Sequence, residues 1–396
     1  MRWWQQLRQK KLAQFGATIL ITLYVLVIAA DFVAPYAPCD TDTINSGACQ
    51  PQINGALLPP TQIYWHNAAG QWIGPHVYPT ILEPIDWQNK ESKAWQTGIR
   101  DLQVDRTQPS PIRLFVKGWE YRFLQIKLPL PTQMSVANPN FDQVTVFSGV
   151  PLNRHLLGTT GDGYINILGT DDQARDQLSR LLFGGRISLS IGLVGVAISL
   201  PLGMLVGGIS GYFGGFVDTL LMRLVEVLMT IPGLYLLIAL AAILPPGLSS
   251  SERFLLIVLI TSFVGWAGLA RVIRGQVLAI KQQEFVQAAK VMGAKPLYII
   301  TRHVLPQTAT YVIISATLAI PSFIVAESVL SLIGLGIEQP DPSWGNLLSL
   351  STNASILILQ PWLVWPPAVL IILTVLSFNL LGDTLRDVLD PRGSLQ

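Results

Sequence analysis

Charged side chains are scarce in this sequence. Asp, Glu, Lys and Arg together make up 13% of the 396 residues, whereas hydrophobic residues make up 50%. The mean hydropathy of +0.45 is well above the value that a soluble domain shows. The net charge is only +2, and no block of basic residues suggests nucleic acid. We therefore expect a protein that lies in a lipid bilayer and does not bind nucleic acid.

Motifs for chemistry are also missing. No GxxxxGK[ST] stretch is present, so this chain has no phosphate-binding loop with which to hydrolyse ATP. No GxSxG nucleophile motif occurs, and His66, His76, His155 and His303 are scattered without the spacing of metal ligands. The sequence predicts no catalytic residue, no metal site and no cofactor in this chain, so a conduit fits it better than an enzyme.

An apolar run from Phe15 to Val33 follows four basic residues in the first eleven positions. The run is long enough to cross a hydrocarbon core of about 30 Å, and the positive charges before it indicate a cytoplasmic N-terminus. A cleaved signal peptide is the alternative, but its apolar region is usually only about 7 to 15 residues long. We predict a cytoplasmic segment over 1–14 and transmembrane helix 1 over 15–34.

Residues 35–183 contain no second run of that kind, so we expect an extracytoplasmic insertion between spans 1 and 2. Apolar patches such as Ile112–Phe115 and Gln143–Phe147, set among Pro, Asn and Gln, predict a mixed or β-rich insertion. Thr170 followed by Gln173 has the pattern of a helix capping box. It predicts that the insertion ends in an amphipathic helix at the membrane surface.

Both cysteines, Cys39 and Cys49, fall in this insertion. The compartment outside the cytoplasm is oxidising, and two cysteines allow a single intramolecular pairing. We therefore predict a disulfide between them. Two free thiols on a mobile loop are the alternative.

Five further apolar runs follow the insertion. Gly203, Gly207 and Gly211 repeat a GxxxG spacing in the first of them, which predicts close helix packing at the centre of a bundle. Pro232-Gly233 predicts a kink in the next. The predicted fold is an all-α polytopic membrane protein with six transmembrane helices, a core over 184–383 and a cytoplasmic tail over 384–396. The five runs cover about Ile187–Ser210, Leu220–Leu244, Phe254–Ala270, Ala309–Gly334 and Trp362–Leu381.

A polar, basic stretch separates the fourth span from the fifth. We predict a first short helix over Gln283–Met292 that ends at Gly293, where a left-handed backbone suits a helix stop. A second short helix is predicted to begin at Pro296 and to be closed by Leu305-Pro306. The basic residues of this loop indicate that it lies in the cytoplasm.

Small residues mark the first of these helices. Ala288 and Ala289 leave part of its surface almost without side chains, so that a partner protein could approach its backbone closely. We expect a bulky residue at Ala289 to leave the spans inserted but to prevent docking.

The same residues carry a family resemblance. Gln287-Ala288-Ala289, then Gly293, then Leu305-Pro306 resembles the EAA loop of permease subunits from bacterial ABC importers. Gln287 stands where the general motif has glutamate. The residue types at Gln287 and His303 resemble those of the second permease subunit in the oligopeptide and dipeptide branch. The stretch from Glu327 through Trp344 and the C-terminal segment are similar to the same branch. The residues implied in coupling to an ATPase are Glu284, Gln287, Ala288, Ala289, Gly293, His303, Leu305 and Pro306.

The resemblance implies an ABC importer type I permease fold in the bacterial inner membrane, with both termini cytoplasmic. The implied partners are a second homologous permease subunit, two ATPase subunits that bind ATP and Mg, and an extracytoplasmic solute-binding protein. The implied cargo is a di- or oligopeptide, although nickel and glutathione systems share these motifs.

Glu327 lies about two-thirds of the way along the fifth span. An ionisable group at that depth is costly, so it has either a structural hydrogen-bonding role or a part in the substrate pathway. A secondary transporter or channel that needs no ATPase is the alternative function. Such a protein usually shows internal repeats or several intramembrane charges, and this sequence shows neither clearly. A membrane-anchored receptor would leave the cytoplasmic loop unexplained.

Overall fold

The computed structural model describes residues 9–52, 55–83, 102–133, 140–245, 248 and 250–389. The predicted cytoplasmic residues 1–8 and tail residues 390–396 lie outside this range. Thirteen α-helices and eight strands occur within it. The helices form one bundle, and the strands all lie in the segment between the first long helix and the second.

Long apolar helices make up the bundle. Five of them are long and apolar enough to cross a membrane, and a sixth span results if α5 and α6, which meet at an angle of 87°, count as one. The break between α5 and α6 falls at Ile231-Pro232, where the kink was predicted. The helices are α1 Lys11–Ile28, α2 Ala30–Val33, α3 Thr41–Asn45, α4 Gln177–Phe213, α5 Gly215–Thr230, α6 Gly233–Ala242, α7 Ser250–Ile280, α8 Glu284–Val291, α9 Pro296–Ile299, α10 Ala309–Leu332, α11 Trp344–Leu348, α12 Ala354–Leu359 and α13 Pro361–Leu389.

The strands form three antiparallel sheets. One has the order β1-β2-β5-β8, and the others pair β3 with β4 and β6 with β7. The patches Ile112–Phe115 and Gln143–Phe147 lie in β5 and β7. The strands are β1 Tyr64–His66, β2 Trp72–Val77, β3 Thr80–Leu82, β4 Leu102–Val104, β5 Ser110–Phe123, β6 Ile126–Gln133, β7 Asn140–Phe147 and β8 Val150–Thr159.

Helix α4 is the central helix of the bundle. It packs against α7 along the predicted glycine stripe: a Cβ at Gly203 would lie 3.0 Å from the carbonyl oxygen of Trp266, and one at Gly211 would lie 2.8 Å from that of Arg274. Nearer the N-terminus of α4, Gly195 faces Phe323 of α10. The missing side chains let the helices approach closely, as the GxxxG spacing predicted.

The predicted capping box at Thr170 is wrong. Thr170 pairs with Asp176 in an isolated β-bridge, and the helix begins only at Gln177. Its N-cap is Asp176, whose carboxylate accepts a hydrogen bond from the backbone N–H of Ser179. The residues expected to form a separate amphipathic helix are therefore a turn followed by the first turns of α4. Asp171 does not cap the helix, because its carboxylate pairs with the Arg175 guanidinium at 2.6 Å.

Cys39 and Cys49 form a disulfide in the structure. The bond closes a loop that contains α3, which is capped by Asp40 through a reciprocal pair of hydrogen bonds with Thr43. Thr41 of this loop also donates a hydrogen bond from its hydroxyl to Asp341, 2.7 Å away. The loop is thereby held against the segment that follows α10.

Candidate functional site

The polar loop between α7 and α10 folds into two short helices. Helix α8 covers Glu284–Val291, and Gly293 follows it with φ +80°, the left-handed conformation expected for its stop. The N–H of Ala294 donates to the carbonyl of Ala289 at 3.1 Å, which closes the turn. Helix α9 then begins at Pro296 in its first turn, as predicted.

The second helix does not stop at Leu305-Pro306. A turn of π-helix over Ile300–Val304 and a turn of 3-10 helix over Leu305–Thr308 connect α9 directly to α10. Proline removes one backbone donor, and these irregular turns accommodate that loss without ending the helical path. The loop is therefore attached to the fifth apolar helix through a continuous helical segment.

One face of α8 packs on the bundle. Val286 and Ala289 are buried in an apolar cluster, which we call the coupling cluster. Ala289 was predicted to lie on the surface that a partner approaches. That prediction is wrong, because only 3% of this residue is exposed and it faces the protein's own core. The coupling cluster consists of Ile273, Val277, Val286, Ala289, Ile299, Ile300, Val304 and Leu305.

The opposite face of α8 is exposed. Glu284, Gln287 and Ala288 lie on it, and Ala288 is the alanine that a partner could approach. Sequence reasoning missed the apolar side chains around the turn. Val291 is 87% exposed and Met292 81% exposed. They stand out in the sequence as apolar residues beside Gly293 in an otherwise polar loop, and that contrast could have identified them.

Two residues of α9 extend this exposed surface. Leu297 and Tyr298 are 59% and 54% exposed. The ring of His303 lies 5.6 Å from the ring of Tyr298 and is half-buried. Leu305 is buried in the coupling cluster, whereas Pro306 is exposed. The eight predicted residues thus divide between an outer surface and the base that supports it.

Hydrogen bonds hold the loop to the neighbouring helices. The Gln287 side-chain amide donates to the carbonyl of Lys281 at 2.8 Å, and the Lys281 ammonium donates to the carbonyl of Gly211 at 2.8 Å. Seven residues before Lys281, the Arg274 guanidinium of α7 binds the Asp218 carboxylate of α5 with an N–O distance of 2.5 Å. The ends of α4, α5 and α7 are therefore connected beneath α8.

Glu327 is fully buried in α10 and is surrounded by hydroxyl groups. The Ser331 hydroxyl donates to one carboxylate oxygen at 2.7 Å, and the Ser188 hydroxyl of α4 donates to the other at 3.1 Å. The Ser188 oxygen also accepts a hydrogen bond from the N–H of Trp344. Both carboxylate oxygens are thus occupied by contacts that connect α4, α10 and α11.

Two family models match this sequence. Residues 199–394 match the binding-protein-dependent transport system inner membrane component, and residues 1–60 match the N-terminal TM domain of oligopeptide transport permease C. The first match contains the loop with α8 and α9 and the span that carries Glu327. Residues 61–198 lie outside both matches.

Full-length relatives agree with these matches. The chain is 42% identical over 240 residues to the oligopeptide transport system permease protein OppC of Haemophilus influenzae, which covers 61% of this chain and 74% of that protein. It is 42% identical over 224 residues to the dipeptide transport system permease protein DppC of Bacillus subtilis, covering 57% and 68%. OppC of Escherichia coli K12 is 41% identical over 57% of this chain and 72% of its own length.

A solved structure of the MetNI methionine ABC transporter in an inward-facing conformation is only distantly similar. It covers 53% of this chain and 97% of its own, at 18% identity and a TM-score of 0.40. That likeness is too weak to inform the fold. The sequence relatives carry the assignment: the chain belongs to the family of binding-protein-dependent transport system inner membrane components, as a multi-pass permease subunit of an ABC transporter.

Proposed function

We propose that this permease translocates di- or oligopeptides into the cell and is driven by ATPase subunits that dock on α8 and α9. The peptide cargo follows from the relatives, whose names are those of oligopeptide and dipeptide transport proteins. The partners are a second homologous permease subunit, two ATPase subunits and an extracytoplasmic solute-binding protein. ATP and Mg are held by the ATPase subunits, and this chain contributes no cofactor.

The observation that carries the proposal is the two-sided construction of α8. Its outer face presents Ala288, with Val291 and Met292 at its end, and these apolar side chains are suited to burial in a cleft on another protein. Its inner face is fixed by the coupling cluster, and the hydrogen bonds of Gln287 and Lys281 hold the helix and the residues before it to the bundle. A docked partner that moves would therefore move the ends of the spans as well.

The route from the loop to the span supports the same mechanism. Because α9 continues through two irregular turns into α10, a displacement of α9 is passed to the helix that carries Glu327. In our proposal, closure of the two ATPases tilts these helices and opens the pathway outward. The loop lies in the cytoplasm in this arrangement, and both termini lie on the same side.

Glu327 has a structural role in this proposal. Each of its two carboxylate oxygens accepts a hydrogen bond, one from Ser188 and the other from Ser331. A secondary transporter would need a carboxylate that exchanges a coupling ion. The occupied oxygens of Glu327 favour the ATP-driven mechanism over that alternative.

Two neighbouring alanines test the docking surface. Ala288→Trp adds bulk on the exposed face of α8, and we expect it to abolish ATPase docking and peptide uptake while the permease still assembles in the membrane. Ala289→Trp adds the same bulk inside the coupling cluster, and we expect it to destabilise the permease by about 1–3 kcal/mol, the usual cost of overpacking.

The measurement is co-purification of the ATPases in a mild detergent, together with uptake of a labelled tripeptide by whole cells. Gln282→Ala, an exposed change just before α8, is the control and should change neither. Normal ATPase recovery and normal uptake by Ala288→Trp would contradict the proposal. Uptake of nickel or glutathione without any peptide uptake would retain the mechanism and replace the cargo.

A further inference from the structure

The strand pair β5–β8 ends in a group of exposed apolar side chains. Val150 at the start of β8 lies opposite Phe123 at the end of β5, and Leu152 lies opposite Tyr121. We call this group the apolar tip, and it consists of Leu124, Val146, Phe147, Val150 and Leu152. The exposed fractions of the five residues range from 44% to 61%. So much exposed apolar surface at one place indicates that something apolar covers it.

The direction of β5 determines where this tip lies. The hydroxyl of Tyr36 accepts a hydrogen bond from the N–H of Ile165 at 2.8 Å, and its ring lies 5.6 Å from that of Tyr164. Both partners follow the end of β8, which is paired with the start of β5. Four residues nearer to α1, the ring of Phe32 lies 6.1 Å from that of Phe115 within β5. The chain after α1 and strand β5 therefore run side by side in opposite directions, so β5 approaches α1 as it approaches the apolar tip.

Trp119 makes the next contact along β5. Its ring lies 6.2 Å from that of Phe183 in α4, and it packs on the cluster that Phe183 forms with Ala30 and Ala34. β5 then continues for four residues to Phe123, which at about 3.3 Å per residue of strand is up to roughly 13 Å further. The apolar tip therefore lies at the level where α1 ends.

The exposed apolar surface of α1 leads to the same place. α1 is one of the helices that are long and apolar enough to cross a membrane. Ile21, Val25 and Ile28 are exposed on it at spacings of four and three residues, so they form one row along the helix. Phe32 is the next position of this row, and its ring contacts that of Phe115. The apolar surface of the span therefore continues onto β5.

Basic side chains accompany the apolar tip. Arg122 in β5 and Arg154 in β8 are both exposed. Long basic side chains can lie along an apolar surface while their charged ends reach lipid phosphates. The other end of the strand pair is polar, with Thr160 and Asp162 exposed. The pair therefore has an apolar and basic end next to the spans and a polar end away from them.

This side of the bundle is the one opposite to α8. Phe183 lies near the start of α4, whereas the coupling cluster contacts α4 at Gly208. A helix with the 37 residues of α4 is roughly 55 Å long. The apolar tip and the docking surface are therefore at opposite ends of the bundle.

We propose that the apolar tip inserts into the headgroup region of the bilayer at this end of the bundle, with Arg122 and Arg154 reaching the lipid phosphates. The partner is the lipid surface, because the tip lies where the exposed row of α1 leaves the bilayer. Contact with lipid fixes the position of β5 and β8 relative to the spans. The proposal requires only that α1 crosses the bilayer, so it does not depend on the cargo or on the ATPases.

The test uses the full chain in its importer complex, reconstituted in vesicles of phosphatidylethanolamine and phosphatidylglycerol. Both native cysteines are in the disulfide, so Val150→Cys can carry a single environment-sensitive fluorophore. We expect strong quenching by lipids with a nitroxide near the headgroup and weak quenching by iodide in the water, as for a label at Ile28→Cys on α1. Leu152→Cys is a second position of the apolar tip and should give the same result.

Thr160→Cys is the matched control, because Thr160 is exposed at the polar end of the same strand pair and has the shape of valine. We expect the ratio of lipid quenching to iodide quenching to be several-fold lower there than at Val150→Cys. Equal ratios at the two positions would overturn the proposal. Protection of Val150→Cys from both quenchers would overturn it as well, because another subunit would then cover the tip. Protection from iodide that appears only after the solute-binding protein is added would make the tip a protein-docking surface and would also overturn it.

Discussion

At the scale of single residues, Glu327 connects three helices. It accepts hydrogen bonds from Ser331 in its own helix and from Ser188 in α4. The Ser188 oxygen in turn accepts a hydrogen bond from the N–H of Trp344. Each of these groups is buried, so each would be costly without its partner. The carboxylate therefore stabilises the contact between α4, α10 and α11.

This arrangement predicts different outcomes for two substitutions. Glu327→Gln keeps an acceptor oxygen and adds donors, and we expect the permease to assemble and transport with little loss. Glu327→Leu leaves the hydroxyl protons of Ser188 and Ser331 without their acceptor, and we expect destabilisation of about 1–3 kcal/mol for each group. Thermal unfolding of the purified complex measures the difference. A transport defect in Glu327→Gln with normal thermal stability would instead assign the residue to the substrate pathway.

Single residues also show which structural features local sequence patterns can predict. The stop at Gly293 and the start at Pro296 were predicted correctly, because both depend on the backbone preferences of those residues. The choice between Ala288 and Ala289 was not predictable, because it depends on which face of α8 meets the coupling cluster. Thr170 failed as a cap for a similar reason: Asp171 is engaged by Arg175, and the chain turns before α4 begins.

At the scale of elements, α4 depends on backbone contact with α7. A Cβ at Gly207 would meet the carbonyl oxygen of Ala270 and would lie 2.9 Å from the Cβ of Ile273. A carbonyl oxygen in a helix cannot rotate away as a side chain does. The close approach of these two helices therefore requires glycine at this position.

A matched pair of glycine substitutions tests this contact. Gly207→Ala should separate α4 from α7 and destabilise the complex by about 1–3 kcal/mol. Gly268→Ala in α7 adds the same methyl group where no atom lies within 4 Å, and it should be neutral or stabilise the helix by up to about 1 kcal/mol. Thermal unfolding of the two variants, prepared in parallel, gives the comparison. Equal stability would show that α4 and α7 do not need this approach.

The elements themselves were largely predictable from hydrophobic runs, but their ends were not. Apolar length predicts where the chain crosses the bilayer, whereas α7 and α13 continue as helices beyond the apolar runs, to Ile280 and Leu389. The connection from α9 to α10 was also missed. A Leu-Pro pair normally favours a helix end, and packing of Leu305 in the coupling cluster overrides that preference.

At the scale of the whole molecule, the apolar tip and the docking surface lie at opposite ends of α4. Only tertiary structure brings Phe115 and Trp119 beside the end of α1, since β5 is distant from α1 in sequence. The sequence predicted the insertion and its cysteines but gave no sign of this contact. The permease core, by contrast, was recognisable from a few residues of the loop.

The proposed orientation can be tested by labelling. Both native cysteines are in the disulfide, so a single introduced cysteine reports on its own position. Arg113→Cys in β5 and Lys290→Cys in α8 are both exposed positions. In intact cells, a membrane-impermeant maleimide should label Arg113→Cys and leave Lys290→Cys unlabelled, and permeabilised cells should label both. Labelling of Lys290→Cys in intact cells would place the loop outside the cell and remove the basis for ATPase docking.

The adjacent alanines of α8 also have a consequence for how the complex changes over generations. A larger side chain at Ala289 meets atoms of this same polypeptide, so a compensating mutation must arise within the same gene. In the proposed complex, a larger side chain at Ala288 meets only the docked ATPase subunit, so a compensating mutation would arise in the gene for that subunit. Exchange of the cognate ATPase for a homologue would therefore alter which residues are tolerated at Ala288 and leave the requirement at Ala289 unchanged.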